Sequence, residues 1–286
     1  MATSTASAAS TVAEPLCEVP ADPASPLAAV LRPHGLRSGV SAADSACFRD
    51  HGYCAVPSVL PREQALHFRG LALELANQPD ALNFSKRAVF QQMVNVWLYH
   101  EGLRALTFHP MLQAAVRALS GGRRMRLWHD HLLIKRPHNG IASEFHQDEP
   151  YWSVMRETFT ISAWIALGDV PVNRGCMSFI PDTHTQRDLR AQALEDPTDL
   201  LSLWPDLAYA PRVVCPLRAG GATFHQGFTA HRAAANETDE DRVAMSVIWV
   251  EEHAQFNGAG HPVTDDLGLA IGQTLPESRC PLVPLY

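Results

Sequence analysis

The chain has 286 residues, 46% of them hydrophobic, and a formal net charge of -7. That is enough apolar material to bury a full core as one large domain, with or without appendages. There is no run or stripe of Lys and Arg and no apolar stretch of membrane-spanning length, so neither nucleic acid nor a bilayer is expected as a partner.

The opening MATSTASAASTVAEPL lacks the basic segment and continuous apolar run of a secretory signal. It is rich in Ser, Ala and Thr and poor in acid, a weak likeness to an organelle transit peptide. The first arginine is Arg32, however, and residues 1–28 are expected to form a flexible leader. The six cysteines (Cys17, Cys47, Cys54, Cys176, Cys215 and Cys280) show no CxxC spacing. This predicts a reducing, cytoplasmic setting and no zinc ribbon. The sequons at Asn83 and Asn236 would matter only in a secreted protein.

Residues 29–286 are expected to form a single domain, helical from about 41 to 122 and stranded from about 123 to 252. Ser41 can cap a helix that includes Ala42, Ala43 and Phe48. Pro61 opens another, REQALHFRGLALELANQ, with apolar residues at three- and four-residue spacing. PMLQAAVRALSGG ends on two glycines, a common helix stop. Between them AVFQQMVNVWLY reads equally as strand or helix. After Gly122 the texture changes. MRLWHDHLLIKRP, ETFTISAWIALGDV, CMSFIP, PRVVCPL, GATFHQG and RVAMSVIWVEE are β-branched and aromatic, with Gly, Pro, Asn and Asp between them.

Helices followed by many strands predict a mainly β (α+β) fold rather than alternating βαβ units. A closed double sheet, the jelly-roll or double-stranded β-helix, buries so many strands most naturally. The stretch 186–210 interrupts the strand series and reads as a partly helical insertion over a cavity mouth.

The sharpest local feature is EFHQDEPYW. On a strand, positions i and i+2 point to one side, so the His146 imidazole and the Asp148 carboxylate can converge on one ion. His231 supplies a third ligand. Two His and one carboxylate with open positions form the facial set of non-haem iron(II) oxygenases. His-x-Asp alone is weak, and a lone His is more often a core or surface residue, so the neighbours of the motif carry the reading. Arg242 follows His231 across the polar, turn-forming RAAANETDED. A hairpin there would bring the two together, and the Arg fork matches a carboxylate. The plainer role for Arg242 is a surface pair with Asp239 or Asp241. His225 competes as a ligand, but its hairpin partner would fall near Ile248, an apolar position. His231 is therefore preferred, and His225 is left to line the pocket or bond a ligand.

The chain resembles the phytanoyl-CoA dioxygenase family of iron(II)/2-oxoglutarate oxygenases. The likeness is carried by LLIKRP, FHQDEPYW, TISAWIALGDVPVNRGCMSFIPDTH and GGATFHQGFTAHRAAANETDEDR, over about 125 to 250. It implies a double-stranded β-helix with His146, Asp148 and His231 on iron(II) and Arg242 on the far carboxylate of 2-oxoglutarate. It also implies that Trp164, Asn95 and His131 line the cosubstrate site, although core packing would equally explain Trp164. Many members carry Ser two residues after the distal His; Ala233 stands here, removing one hydroxyl contact.

The implied reaction consumes dioxygen and 2-oxoglutarate, releases succinate and carbon dioxide, and oxidises a C–H bond of a small molecule. Related halogenases leave the carboxylate position to chloride, so the intact Asp148 favours hydroxylation, desaturation or ring closure. Candidate substrate residues are His129, His131, Gln91, Asn95, Trp97, Tyr151, Trp152 and His225. His129, His131, Leu133 and Lys135 alternate on one strand face. Turned inward that face makes a polar pocket suited to a small metabolite; turned outward it does not. Two other readings are a cupin-like metalloenzyme without 2-oxoglutarate, and a non-catalytic binding protein that keeps the fold.

Overall fold

The computed structural model describes residues 39–78, 85–86 and 89–283. The leader expected at 1–28 lies outside these residues. Helix α1 (Ala42–His51) is capped as its sequence predicts: the Ser41 hydroxyl accepts from the Asp44 N–H, and the Asp44 carboxylate accepts from the Ser41 N–H. Strand β1 (Tyr53–Val56) and helix α2 (Arg62–Ala76) follow. The ambiguous central stretch is both strand and helix. It forms β3 (Gln91–Val94), paired with the short β2 (Ser85–Lys86), and then α3 (Val96–Tyr99). The switch occurs at Asn95, whose φ of 58° turns the chain left-handed. Helices α4 (Glu101–Thr107) and α5 (Pro110–Leu119) complete the helical part.

The remaining strands are β4 (Met125–Lys135), β5 (Ser143–His146), β6 (Thr160–Ala166), β7 (Met177–Phe179), β8 (Val213–Cys215), β9 (Ala222–His225), β10 (His231–Ala233) and β11 (Arg242–Glu251). They form two sheets, one of seven strands in the order β1-β9-β6-β11-β4-β3-β2 and one of four in the order β5-β10-β7-β8. Every pairing is antiparallel. The expected jelly-roll is therefore present.

Alternation divides the large sheet. Val243, Met245, Val247 and Trp249 of β11, with Leu132 and Ile134 of β4, pack against Phe48, Phe68, Leu103 and Val116 of the helices. Taking this apolar layer out of water stabilises the fold by roughly 25 cal/mol per Å² of surface buried. Asp130 also faces the helices. It accepts from the Thr107 hydroxyl at 2.6 Å and the Trp97 N–H at 3.1 Å.

The opposite face of the large sheet looks toward the small sheet. His129, His131 and Leu133 border the cavity between them, so this face of β4 is inward. Lys135 continues the row but does not meet a carboxylate. It is fully buried, and its Nζ donates to the carbonyls of Ile141, Ala233 and Ala234 at 3.0, 3.2 and 2.8 Å. This cation straps β4 to β10, and burial lowers it to about 7.

The insertion is less helical than expected. A single turn, Asp199–Leu203, and a 3-10 turn, Pro205–Ala208, interrupt irregular chain. It is anchored by Leu189, Leu200 and Leu207 against Ile180 and Ala230, and Leu194 reaches the cavity.

Candidate metal centre

His231 is directly opposite His146 where β10 pairs with β5. β5 ends at His146, and Asp148 begins a 3-10 turn, so the two do not converge by strand alternation as the spacing suggested. A turn brings Asp148 in instead, and the Gly227 carbonyl pins it by accepting from the N–H groups of Asp148 and Glu149 at 2.9 and 3.0 Å. A Cβ on Gly227 would come within 2.9 Å of the Trp152 ring and 2.8 Å of the Glu149 carboxylate.

His146 Nδ1 stands 2.7 Å from the Glu144 carbonyl, and His231 Nδ1 stands 2.9 Å from the Thr229 carbonyl. A carbonyl only accepts, so both protons sit on Nδ1 and both Nε2 lone pairs are free. These point at Asp148 Oδ1 from 3.5 and 3.6 Å. The three ligand atoms lie within 4.8 Å of one another. Three electron-rich atoms converge with no proton to share among them, an arrangement that a cation completes. Burial lowers His231 to about 3, which keeps its ring neutral as a ligand must be.

His225 is a neighbour of this group rather than a member. Its Nε2 is 3.4 Å from Asp148 Oδ2, the oxygen turned away from the other two imidazoles, and its ring lies 4.3 Å from that of His231. The expected hairpin register was wrong. β9 pairs His225 with Tyr53 and Ser162, not with a residue near Ile248.

The expected β10–β11 hairpin is also absent. β10 belongs to the small sheet and β11 to the large one, so the turn between them crosses the sandwich. His231 and Arg242 nonetheless line one cavity, of about 330 Å³. Arg242 is 2% exposed, and its Nε and Nη1 have no hydrogen-bond partner. The surface pairing does not occur, because Asp239 meets His138 and Asp241 meets Arg136. The Arg242 guanidinium lies 5.3 Å from the centre of the Trp164 ring, on the adjoining part of the sheet. Burial pulls Arg242 down to about 9, which leaves it charged at neutral pH. A buried cation without a counter-charge is costly, so this one is suited to an anionic ligand.

Trp164, His131, His129, Tyr151, Trp152 and His225 all border the cavity. Asn95, Gln91 and Trp97 are not among its lining residues. Asn95 is at the left-handed turn into α3, Gln91 accepts from the Arg136 guanidinium, and Trp97 packs against Phe108 and Arg104. Strand parity explains Gln91, since its neighbour Gln92 faces inward. His261, Ser246 and Ser143 were not anticipated and also line the cavity. Ser246 shows the inward parity of β11, opposite His131 and Trp164. His261 lies in a turn-rich tail without period. Ser143 Oγ, 3.0 Å from the Ala233 N–H, places a hydroxyl beside the position where Ala233 lacks one.

The family model of phytanoyl-CoA dioxygenase (PhyH) matches residues 48–244. Among solved structures, the non-heme alpha ketoglutarate dependent carbocyclase SnoK from nogalamycin biosynthesis is 31% identical. The match covers 86% of this chain and 97% of that one, with a TM-score of 0.76. The epimerase SnoN, in complex with Fe3+, alpha ketoglutarate and nogalamycin RO, is 29% identical over 85% of this chain and 98% of that one, with a TM-score of 0.71. Phytanoyl-CoA dioxygenase domain-containing protein 1 of Mus musculus is 32% identical, and the match covers 52% of each chain. The chain thus spans about half the length of that curated relative. No helix among the described residues is long and apolar enough to cross a membrane.

Proposed function

Because the chain belongs to the phytanoyl-CoA dioxygenase family, we propose that it is an iron(II)/2-oxoglutarate-dependent oxygenase that hydroxylates a C–H bond of a small metabolite. The observation that carries this reading is the pairing, in one cavity, of three convergent unprotonated ligand atoms with a buried, unpaired Arg242. A metal site alone would fit many cupin-like enzymes. An arginine without a counter-charge in the same enclosure fits a dicarboxylate cosubstrate.

In this reading His146, Asp148 and His231 hold iron(II), and Arg242 receives the distal carboxylate of 2-oxoglutarate. Iron, cosubstrate and dioxygen together supply an oxidation that yields succinate, carbon dioxide and an oxidised substrate. The protein's share is orientation and exclusion of water. Glu144 and Thr229 fix the two imidazole tautomers through their carbonyls. His225 donates to the outer oxygen of Asp148, leaving Oδ1 for the metal. Trp164 covers the Arg242 guanidinium and keeps it in a low-dielectric setting.

SnoK and SnoN are named as a carbocyclase and an epimerase, so ring closure and epimerisation are the competing outcomes at such a site. The test is coupled turnover with iron(II), ascorbate and 2-oxoglutarate, followed by mass analysis of the product. A gain of one oxygen atom supports hydroxylation. Loss of two hydrogens or an unchanged mass directs the reading to the other two. A metalloenzyme without 2-oxoglutarate, or a binding protein, would release no succinate.

A further inference from the structure

One wall of the cavity carries polar groups that the metal and Arg242 leave unused. His129 and His131 on β4 and His261 from the carboxy-terminal segment form an imidazole cluster. Ring centres are 5.3 Å apart between His129 and His131 and 5.2 Å apart between His129 and His261. Neighbours fix two of the tautomers. The Gln92 amide nitrogen stands 2.7 Å from His131 Nδ1, and the Val263 N–H donates to His261 Nδ1 at 3.2 Å. In a neutral ring an accepting Nδ1 requires the proton on Nε2. Burial lowers His131 and His261 to about 4 and His129 well below the usual range, so the rings are neutral at physiological pH.

Both rings line the cavity, and among the described residues no hydrogen bond engages either Nε2. The wall therefore presents two neutral N–H donors, with His129, 4% exposed and its Nδ1 unpartnered, between them. Trp152 supplies aromatic surface beside the cluster, where His129 stands edge-on to it at 6.2 Å, and Tyr151 lines the same cavity.

The charge of the lining narrows the ligand further. Among the described residues Arg242 is its one cation and Asp148 its one carboxylate. Both are committed if the iron and 2-oxoglutarate reading holds, and the present inference rests on that reading. A charged group on the substrate would then enter without a counter-charge. A bare hydrocarbon would leave both donors unpaired.

We propose that this wall is the substrate subsite and that it takes an uncharged, oxygen-bearing ring compound. Ketone, ether or hydroxyl oxygens accept from Nε2–H of His131 and His261, and the carbon ring lies against Trp152 and Tyr151. The cavity is at the small end of ligand pockets and must also hold the cosubstrate, so it admits the reacting part of the substrate and leaves the remainder outside.

The test is equilibrium dialysis of the full chain, anaerobic and loaded with iron(II) and 2-oxoglutarate. Three probes share one ring system: tetralone, an uncharged ketone; tetralin, with no acceptor; and tetralin carboxylate, an anion. Tetralone is expected to bind about tenfold or more tighter than the other two, the effect of one or two satisfied buried donors. His131→Phe or His261→Phe should reduce tetralone to the level of tetralin. His131→Gln and His261→Gln, which keep an N–H donor, should retain part of the preference. The His261 variants should hold 2-oxoglutarate as the wild type does, and if a His131 variant loses it, the comparison rests on His261. Equal binding of tetralin or of the carboxylate, no retention of tetralone, or ketone binding unchanged in the variants would overturn the proposal. If the wild type fails to hold 2-oxoglutarate, the oxygenase reading itself is at fault. Only the tetralone–tetralin comparison is then read on the metal-free chain, because an uncommitted Arg242 would take the carboxylate, and equal binding of those two probes overturns the subsite.

Discussion

Arg242 lies over the Trp164 indole, 5.3 Å from its centre, with no carboxylate beside it among the described residues. In most proteins so deeply buried an arginine is paired. The cosubstrate reading makes the missing partner a ligand. Arg242→Ala should weaken 2-oxoglutarate by roughly 10- to 100-fold, the value of a charge-assisted bidentate contact, and leave metal affinity nearly unchanged. Arg242→Lys should recover only part of the loss, because Lys lacks the planar fork. Calorimetric titration with each ligand checks both expectations. Equal loss of metal and cosubstrate would assign Arg242 a structural role.

Gly227 offers a test that touches no ligand. Its carbonyl holds the backbone of Asp148, and it has no space for a side chain. Gly227→Ala should displace the turn and lower metal affinity by about 10- to 100-fold, as disturbed outer-shell supports do. Far-ultraviolet circular dichroism separates this from unfolding. A variant that binds metal normally would show that the turn is held by other contacts.

Lys135 joins three carbonyls across two elements. Lys135→Met keeps the volume but removes the donor from the Ile141 and Ala234 carbonyls, while the Ala233 carbonyl keeps only the Ser143 hydroxyl at 3.3 Å. The expected loss is about 2–5 kcal/mol in denaturant unfolding. A loss under about 0.5 kcal/mol would mean that water replaces the ammonium without cost.

Asp130 sets a pH dependence. Burial, against the hydrogen bonds from Thr107 and Trp97, raises its carboxyl from 3.8 to about 7. A folded-state pKa above the unfolded value favours the protonated fold. The contribution is therefore complete below about pH 4 and is lost as pH rises through about 7. Asp130→Asn should flatten this fall in thermal midpoint between pH 4 and 7 relative to wild type. An unchanged slope would locate the titration elsewhere.

Much of the fold and site was legible before the structure, and the misreadings share one cause. The strands after Gly122 and the helix from Arg62 to Ala76 follow from periodicity and punctuation. His146 and Asp148 read as a pair because local spacing reports local proximity. The loop before Arg242 was correctly a turn, but a polar turn does not say whether the chain re-enters the same sheet or crosses to the other. Gln91 and Gln92 differ only in strand parity, which is set by the long-range pairing of β3 with β4. His261 had no local signal, since its place depends on a tail folding back onto Trp128.

The most direct test of the central claim is anaerobic titration of the chain with iron(II) and then 2-oxoglutarate, followed by optical absorption and calorimetry. The expected result is one iron per chain, with tight 2-oxoglutarate binding that requires the metal, loses strength in Arg242→Ala and disappears with the metal in Asp148→Ala. Binding of 2-oxoglutarate that is indifferent to iron, or iron binding that survives Asp148→Ala at wild-type strength, would contradict it.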